Sequence, residues 1–163
     1  MVLSFFKNIH LFKNEPTILF FHGVTPRIID REVQDIHLEE NQFIKMIKKL
    51  QKKYIFLSMN EIEEYRKTNY KIPKNSLILQ FDDGYENNLK VVYPILSYFK
   101  IPFTIFITTN NVEFGTRFPT FIAKIALKYT SKKKIEIPNL LKINNYRSSD
   151  WNLIYKNKIK NLI

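Results

Sequence analysis

The chain has 163 residues, of which 45% are hydrophobic and 15% aromatic, so it carries enough apolar material for one packed domain and does not belong to the disordered class. It contains no cysteine, which excludes disulfide frameworks and thiolate metal sites and leaves carboxylate, imidazole or water as ligands for any metal. The net charge of +11 is concentrated in residues 112–163, where 11 lysines and arginines accompany 3 acidic residues, and this segment predicts either a solvated surface or attraction to an anionic polymer.

Residues 1–16 form a lead-in that begins like a signal peptide. Polar residues such as Lys7 and Lys13 interrupt its apolar run before it reaches a usable length. No other stretch approaches the ~20 apolar residues that a membrane-spanning helix needs. We therefore expect a cytoplasmic chain without a transmembrane segment, with peripheral contact to a membrane as the alternative.

From residue 17 to 111, strands and helices alternate. Short apolar runs predict four buried strands, at residues 17–21, 54–57, 77–81 and 103–108. Residues 24–38 are polar and unpatterned, which predicts a loop over the mouth of a site. Helical spacing of apolar residues predicts amphipathic helices at 39–52 and 86–99, the second kinked at Pro94, and a Ser58–Glu61 capping box predicts another that ends near Lys67. This alternation builds parallel βαβ units and predicts an α/β fold.

Residues 112–163 follow a different pattern. Apolar residues between Phe118 and Tyr129 predict a helix, a lysine run at 132–134 and a loop follow, and Asp150 is predicted to cap a last helix from Trp151. No fifth strand is predicted. We expect one partial domain, 1–163, with the α/β core at 17–111 and a basic helical segment at 112–163.

The strongest functional signal is the stretch 77–85, in which a buried strand ends in Asp82, Asp83 and Gly84. Side chains at the carboxyl end of a parallel strand emerge at the mouth of the sheet, where a rigid backbone can aim them. One carboxylate can hold a divalent metal while its neighbour removes a proton from the metal's water, whose pKa the metal lowers to about 7. An acidic turn that caps the following helix is the structural alternative.

His22 follows the first strand, so we expect it on the same rim as the two carboxylates. A lone histidine is more often packed or hydrogen-bonded than a ligand, but the rim that His22 shares with the carboxylates makes the two roles equal, and both stay open. His10 and His37 have no partners at ligand spacing and are predicted to be surface residues.

The order of these features resembles the polysaccharide deacetylases with a NodB-homology domain. The resemblance covers residues 17–111 and rests on the segments 19–24, 43–50, 79–85, 93–96 and 101–107. It implies a distorted (β/α) barrel, here incomplete, with about four parallel strands, flanking helices and a helical C-terminal stretch. It also implies hydrolysis of N-acetyl groups on a sugar polymer with a divalent metal, commonly zinc.

Carried over residue by residue, the resemblance makes Asp82 the general base and Asp83 a metal ligand, with His22 and Tyr85 lining the site. The family's His-x-x-x-His pair, its later arginine–proline motif and its general-acid histidine have no counterpart in this chain. Residues 118–163 loosely resemble a helical insertion that some members carry before the histidine pair. The chain is therefore expected to be the first half of a deacetylase, with an incomplete metal site and no activity alone. Truncation, a split gene or a frameshift would explain why the second half is separate.

Other classes stay open. A catalytically silent carbohydrate-binding or assembly protein would keep the rim without the chemistry. Binding of nucleic acid or another anionic polymer lacks a recognisable motif, and phosphoryl transfer lacks a phosphate-cradling glycine loop. The expected partners are an acetylated polysaccharide or oligosaccharide and, because the half barrel leaves an open sheet edge, a complementary half or a second copy.

Overall fold

The computed structural model describes residues 15–137 and 141–156. It divides into two compact units, Met1–Thr108 and Thr109–Ile163, and each is described by itself below. That the chain forms a single partial domain stays a prediction.

The first unit alternates short strands with helices. Its strands are β1 (Thr17–Phe21), β2 (Gly23–Thr25), β3 (His37–Glu39), β4 (Ile55–Phe56), β5 (Ser76–Phe81) and β6 (Thr104–Ile105). Its helices are α1 (Glu40–Leu50), α2 (Met59–Lys67) and α3 (Tyr93–Tyr98), and a π-helical turn, Asn88–Val92, immediately precedes α3. The capping box predicted at the start of α2 is present, since Ser58 Oγ accepts from the Glu61 backbone N–H and the Glu61 carboxylate accepts from the Ser58 backbone N–H.

Strand β5 is the centre of a four-stranded parallel sheet. It pairs with β1 from Thr17↔Leu77 to Phe21↔Phe81, with β4 at its beginning and with β6 at its end. The prediction of an α/β fold with parallel strands is confirmed, although the observed β4 and β6 are only two residues long.

Both faces of β5 are covered, which explains its continuous apolar sequence. On one face, Leu77, Leu79 and Phe81 belong to a fully buried cluster that includes four residues of α1: Phe43, Met46, Ile47 and Leu50. On the other face, Ile78 packs with Leu57 and with Ile62 of α2. The apolar pattern that predicted α1 is therefore its buried face.

The predicted loop at 24–38 is wrong at both ends. Strands β2 and β3 pair in parallel there, with Gly23 opposite His37 and Thr25 opposite Glu39. Three-residue strands are too short to show a period-2 pattern, so nothing local in the sequence announces them.

The helix predicted over 86–99 is interrupted before Pro94 by the π-helical turn. The turn is closed by a hydrogen bond from Tyr93 N to Asn88 O, five residues apart, in place of the four-residue bond of an α-helix. The buried positions consequently become Asn88, Val92 and Leu96. The helical spacing of apolar residues over 86–99 placed Leu89 and Tyr93 on the same face as Val92 and Leu96, but Leu89 and Tyr93 are 67% and 54% exposed.

The second unit contains more strand than the sequence predicted. Its elements are α4 (Thr109–Phe114), α5 (Pro119–Tyr129), β7 (Ile135–Ile137), β8 (Leu141–Ile143), a 3₁₀ turn at Ser148–Asp150 and α6 (Trp151–Ile154). Strands β7 and β8 form an antiparallel pair, so the prediction of no fifth strand is wrong. β7 contains two β-branched residues and β8 only one, so these three-residue runs carry little strand signal. Asp150 does precede α6, but its carboxylate makes no capping hydrogen bond.

The buried face of α5 also differs from the predicted one. Leu127 is buried in a cluster with Ile143, Tyr146, Trp151 and Tyr155, and the Tyr146 hydroxyl donates to the Leu127 carbonyl at 2.5 Å. Three of the residues expected to be buried are exposed instead: Ile122, Ile125 and Tyr129. Among the helices that the structure describes, none is long and apolar enough to cross a bilayer.

Candidate functional site

The two adjacent carboxylates follow β5 and are tied to its neighbours on both sides. Asp82 N donates to the Phe21 carbonyl of β1 at 2.8 Å, and the Asp83 carbonyl accepts from Thr108 N at 3.4 Å. Asp83 and Gly84 have φ values of 76° and 73°, so two successive left-handed residues turn the chain sharply after the strand. Because its neighbours anchor this backbone, the turn holds the acid pair in a fixed place.

Asp82 is oriented by a residue on its own strand. Gln80 Nε2 donates to Asp82 Oδ1 at 2.9 Å, and residues two apart share one face of a strand. The contact fixes one oxygen of the Asp82 carboxylate. No role was predicted for Gln80 from the sequence, although its i, i+2 spacing from Asp82 indicates that the two side chains lie on the same face.

His22 and Asp83 come together across the ends of β1 and β5. His22 Nε2 lies 3.9 Å from Asp83 Oδ2, and their side chains are 31% and 26% exposed. The two groups form an ion pair when the imidazole is protonated, and both remain open to solvent. The structure thus gathers His22, Asp82 and Asp83 on one rim, while their chemical roles stay predictions.

Tyr85 stands beside this rim and is half-buried. Burial, and then the negative charges of Asp83 and Asp35, raise the pKa of its phenol to about 12. Its ring meets the ring of His37 edge-on, with centroids 4.9 Å apart and an interplanar angle of 71°. The prediction that His37 is a surface residue is therefore wrong. No local signal could have found it, because pairing between β2 and β3 brings His37 to the site.

A side chain at Gly23, directly after His22, would displace the side chains around it. A Cβ atom there would lie 2.5 Å from Asn87 Oδ1 and 2.8 Å from His37 Cδ2. Asn87 Oδ1 and both amide atoms of Asn88 are buried without a hydrogen-bond partner among the described residues. The backbone that follows His22 is thus enclosed by the π-helical turn region on one side and by β3 on the other.

A metal would find too few ligands in the described part of the chain. Residues 15–137 and 141–156 contain no group of three or more histidine, cysteine, aspartate or glutamate side chains arranged to hold a metal ion. Typical catalytic zinc sites use three protein ligands and leave a position for water. Asp83 and His22 supply at most two, so these residues do not fit a complete zinc site.

The basic second unit uses part of its charge internally. Lys128 lies 5.5 Å above the ring of Trp151, and Lys124 lies 5.5 Å above the ring of Tyr155. Lys134 pairs with Glu136 at 3.0 Å on the edge of a shallow groove of about 530 Å³. The ion pair offsets the charge of Lys134, whereas Lys124 and Lys128 keep their charges over the neutral rings.

Part of the chain matches polysaccharide deacetylases. Residues 69–135 match the sequence model of the polysaccharide deacetylase family. The chain is also 37% identical over 83 residues to the poly-beta-1,6-N-acetyl-D-glucosamine N-deacetylases of Staphylococcus aureus strains MSSA476 and MRSA252. That alignment covers 50% of this chain and 28% of those proteins, so the chain spans less than a third of the length of the relatives it matches. The resemblance inferred from the sequence is confirmed over this part.

Two solved structures share a fold with part of this chain. The structure of IcaB from Ammonifex degensii aligns with a TM-score of 0.52 and 22% identity, covering 60% of this chain and 40% of that one. A deacetylase, PplD from Streptococcus pyogenes in complex with acetate, aligns with a TM-score of 0.53 and 21% identity, covering 70% and 53%. At this identity the likeness supports the α/β fold alone.

Proposed function

We propose that this chain takes part in the hydrolysis of N-acetyl groups on a sugar polymer. In that reaction water adds to the amide carbonyl, the C–N bond breaks, and acetate and a free amine are released. The observation that carries the proposal is the rim after β5, where Asp82 and Asp83 lie beside His22. The relatives matched over 83 residues are N-deacetylases of such a polymer.

Asp82 is proposed as the general base that removes a proton from the attacking water. Gln80 holds one of its oxygens, which orients the other. His22 and Tyr85 would line the site and contact the sugar. Asp82 and the Gln80 side chain that orients it both belong to this chain, so the proton transfer is assigned to Asp82.

Asp83 is proposed to contribute one ligand to a divalent metal, with zinc as the first candidate. When bound, such a metal polarises the acetyl carbonyl and lowers the pKa of its water. The described residues do not complete that site, and the sequence contains only three histidines. We therefore expect the chain to be inactive alone and to require further ligands from another polypeptide segment.

The barrel is proposed to be completed by the same segment. On β1, Ile18 and Phe20 are 50% and 64% exposed although they belong to the central sheet. A parallel sheet normally has both faces covered, because its connections place other elements there. A complementary half of the domain would cover these side chains, and a second copy of the chain is the alternative.

The test is acetate release from an N-acetylglucosamine oligomer in the presence of zinc. The chain alone is expected to release none above background. A hybrid that continues the chain with the carboxyl-terminal part of the S. aureus relative should release acetate. In that hybrid, Asp82→Asn should lower kcat by about 10²-fold or more, the usual worth of a general base.

Asp150→Asn is the matched control, because it removes an aspartate carboxylate from the second unit and should leave kcat unchanged. Stoichiometric zinc binding and acetate release by the 163-residue chain alone would contradict the incomplete-site proposal. An active hybrid with full activity after Asp82→Asn would contradict the role of Asp82.

A catalytically silent carbohydrate-binding protein is the second candidate. The absence of a three-ligand metal group from the described residues favours it. This candidate predicts that the chain binds N-acetylglucosamine oligomers equally well with and without a chelator, measured by calorimetry. It also predicts that the folded hybrid releases no acetate.

A further inference from the structure

We propose that His37 is a positioning residue for the acid-pair rim, where its ring holds Tyr85 and the backbone after His22 in place. The inference rests on the proposed function, because it assigns the rim a sugar-binding role. The positioning itself can be measured without activity, so the two can fail separately.

The His37 ring contacts the Tyr85 ring from the side. Tyr85 follows Asp83 and Gly84, whose left-handed conformations turn the chain away from the direction of β5. Its ring is half-buried and forms a T-shaped pair with the His37 ring, with centroids 4.9 Å apart. An edge-to-face aromatic pair is favourable beyond the burial of its surface, which favours one orientation of a side chain on a turn.

The same imidazole also touches the segment that carries His22. Gly23 is the Cα partner of His37 in the β2–β3 pairing. Because Gly23 has no side chain, the His37 ring can approach it closely, and a Cβ atom on Gly23 would lie 2.8 Å from His37 Cδ2. One ring therefore bridges two segments that are far apart in sequence. One segment carries His22 and the other carries Asp83 and Tyr85.

The position of His37 is set by well-anchored elements. Strand β3 leads directly into α1, whose Phe43 and Ile47 are fully buried in the main core. Strand β2 contains Val24, which is also fully buried in that core. The core therefore fixes the position of His37, and His37 in turn positions Tyr85. Asp35 also acts on this part of the site, because its charge helps to raise the pKa of the Tyr85 phenol.

A flat ring is the property that this role requires. Phenylalanine keeps a ring on the same Cβ–Cγ bond and can meet Tyr85 edge-on, whereas alanine removes both contacts. His37→Phe should therefore rescue the positioning that His37→Ala loses. A measurement of stability alone would not show whether the two variants differ in how His22 and Tyr85 are positioned at the rim.

The experiment uses the full chain with ¹³C-labelled histidine and tyrosine side chains, at one fixed pH. In His37→Ala, the His22 imidazole cross-peaks should shift by more than a line width, and the Tyr85 ring signals should collapse toward those of a mobile tyrosine. His37→Phe should keep the His22 cross-peaks within a line width of the wild type. Circular dichroism confirms that each variant is folded.

Tyr98→Ala is the matched control, because it removes another T-shaped pair, with Phe99 at 5.1 Å, from the end of α3. It should leave the His22 and Tyr85 signals unchanged. Wild-type His22 signals in folded His37→Ala, or an equal displacement in Tyr98→Ala, would overturn the proposal. His22 displacement in His37→Phe as large as in His37→Ala would also overturn it.

A second measurement separates positioning from the proposed function. Titration with an N-acetylglucosamine oligomer, followed by the same cross-peaks, should show binding weakened about 10-fold in His37→Ala and less than 3-fold in His37→Phe. A wild-type chain that binds no sugar would contradict sugar binding by this rim, while the cross-peak shifts would still decide whether His37 positions it.

Discussion

At the scale of single residues, the backbone after β5 is held in a conformation that most side chains avoid. A left-handed conformation costs an L-residue roughly 1–2 kcal/mol, and aspartate tolerates it better than most. Asp83 carries that cost at the place where the carboxylates must be aimed, and Gly84 avoids it. Backbone strain of this kind persists only where the surroundings determine it, here through bonds to β1 and to the chain after β6.

Gly84→Ala should destabilise the protein by more than Gly115→Ala does. Both glycines have positive φ, 73° and 61°, so both variants carry a cost of roughly 1–2 kcal/mol. A Cβ at Gly84 would also lie 3.2 Å from Ile107 Cγ2, whereas a Cβ at Gly115 has no atom within 4 Å. Urea denaturation measures both free energies of unfolding, and equal losses would show that Ile107 yields freely.

Tyr85 predicts a specific loss of stability in alkali. Its folded-state pKa of about 12 exceeds the ordinary value of 10, so the folded protein keeps a phenol proton that the unfolded chain releases. The stability that the protonated Tyr85 phenol contributes is fully present below pH 10 and is lost as the pH rises through about 12. The fall in free energy of unfolding between pH 9.5 and 11.5 should be smaller in Tyr85→Phe than in the wild type. Equal falls would mean that the phenol is as well hydrated in the folded state as in the unfolded chain.

At the scale of elements, the helices of the first unit differ in what sets their first residues: a local sequence motif in one case and tertiary packing in another. The start of α2 is fixed by the capping box, and its hydrogen bonds lower the pKa of Glu61, the backbone bond with Ser58 having the largest effect. The start of α3 is instead set by Pro94 and the π-helical turn before it. One boundary is therefore encoded by a four-residue motif, and the other depends on how the turn packs against the core.

Ser58→Ala should lower the free energy of unfolding by about 1 kcal/mol, because it removes the oxygen that accepts from Glu61 N. The loss should shrink as the pH falls through the lowered pKa of Glu61, since the substitution also removes the Ser58 Oγ–H that donates to the Glu61 carboxylate at 2.7 Å, and a protonated carboxyl accepts that bond less well. Ser97→Ala on the exposed side of α3 is the control and should cost nothing measurable. A loss at Ser58 that is the same at pH 7 and pH 3 would contradict the coupling to Glu61.

At the scale of the whole molecule, the first unit covers one strand of its sheet better than another. Ile78 of β5 is 2% exposed, whereas its register partner Ile18 of β1 is 50% exposed. The cytoplasmic location predicted from the lead-in stays a prediction, as does the single-domain organisation.

Ile78→Ala should therefore cost about 2–5 kcal/mol, the usual loss for a buried isoleucine, and Ile18→Ala about 1 kcal/mol or less. Denaturation at low protein concentration measures both. A cost at Ile18 that approaches the cost at Ile78, and that rises with protein concentration, would show that a second copy covers this face.

Sequence alone determined the features that are local. The buried strand β5, the amphipathic α1, the capping box of α2 and the acid pair at a strand end all follow from spacing and residue type. The deacetylase resemblance rested in part on β5, α1 and the acid pair. The matches to the deacetylase family model and relatives confirmed that resemblance over part of the chain.

Tertiary structure alone decided the features that depend on distant pairing. His37 reached Tyr85 because β3 pairs with β2 across an eleven-residue loop, and the buried side of the helix before Pro94 changed because one wider turn shifts its period. The pairing of β7 with β8 and the exposure of apolar residues on α5 likewise depend on which residues lie next to them in the folded chain. Local patterns report which side chains can be buried, but only the packed chain decides against what they are buried.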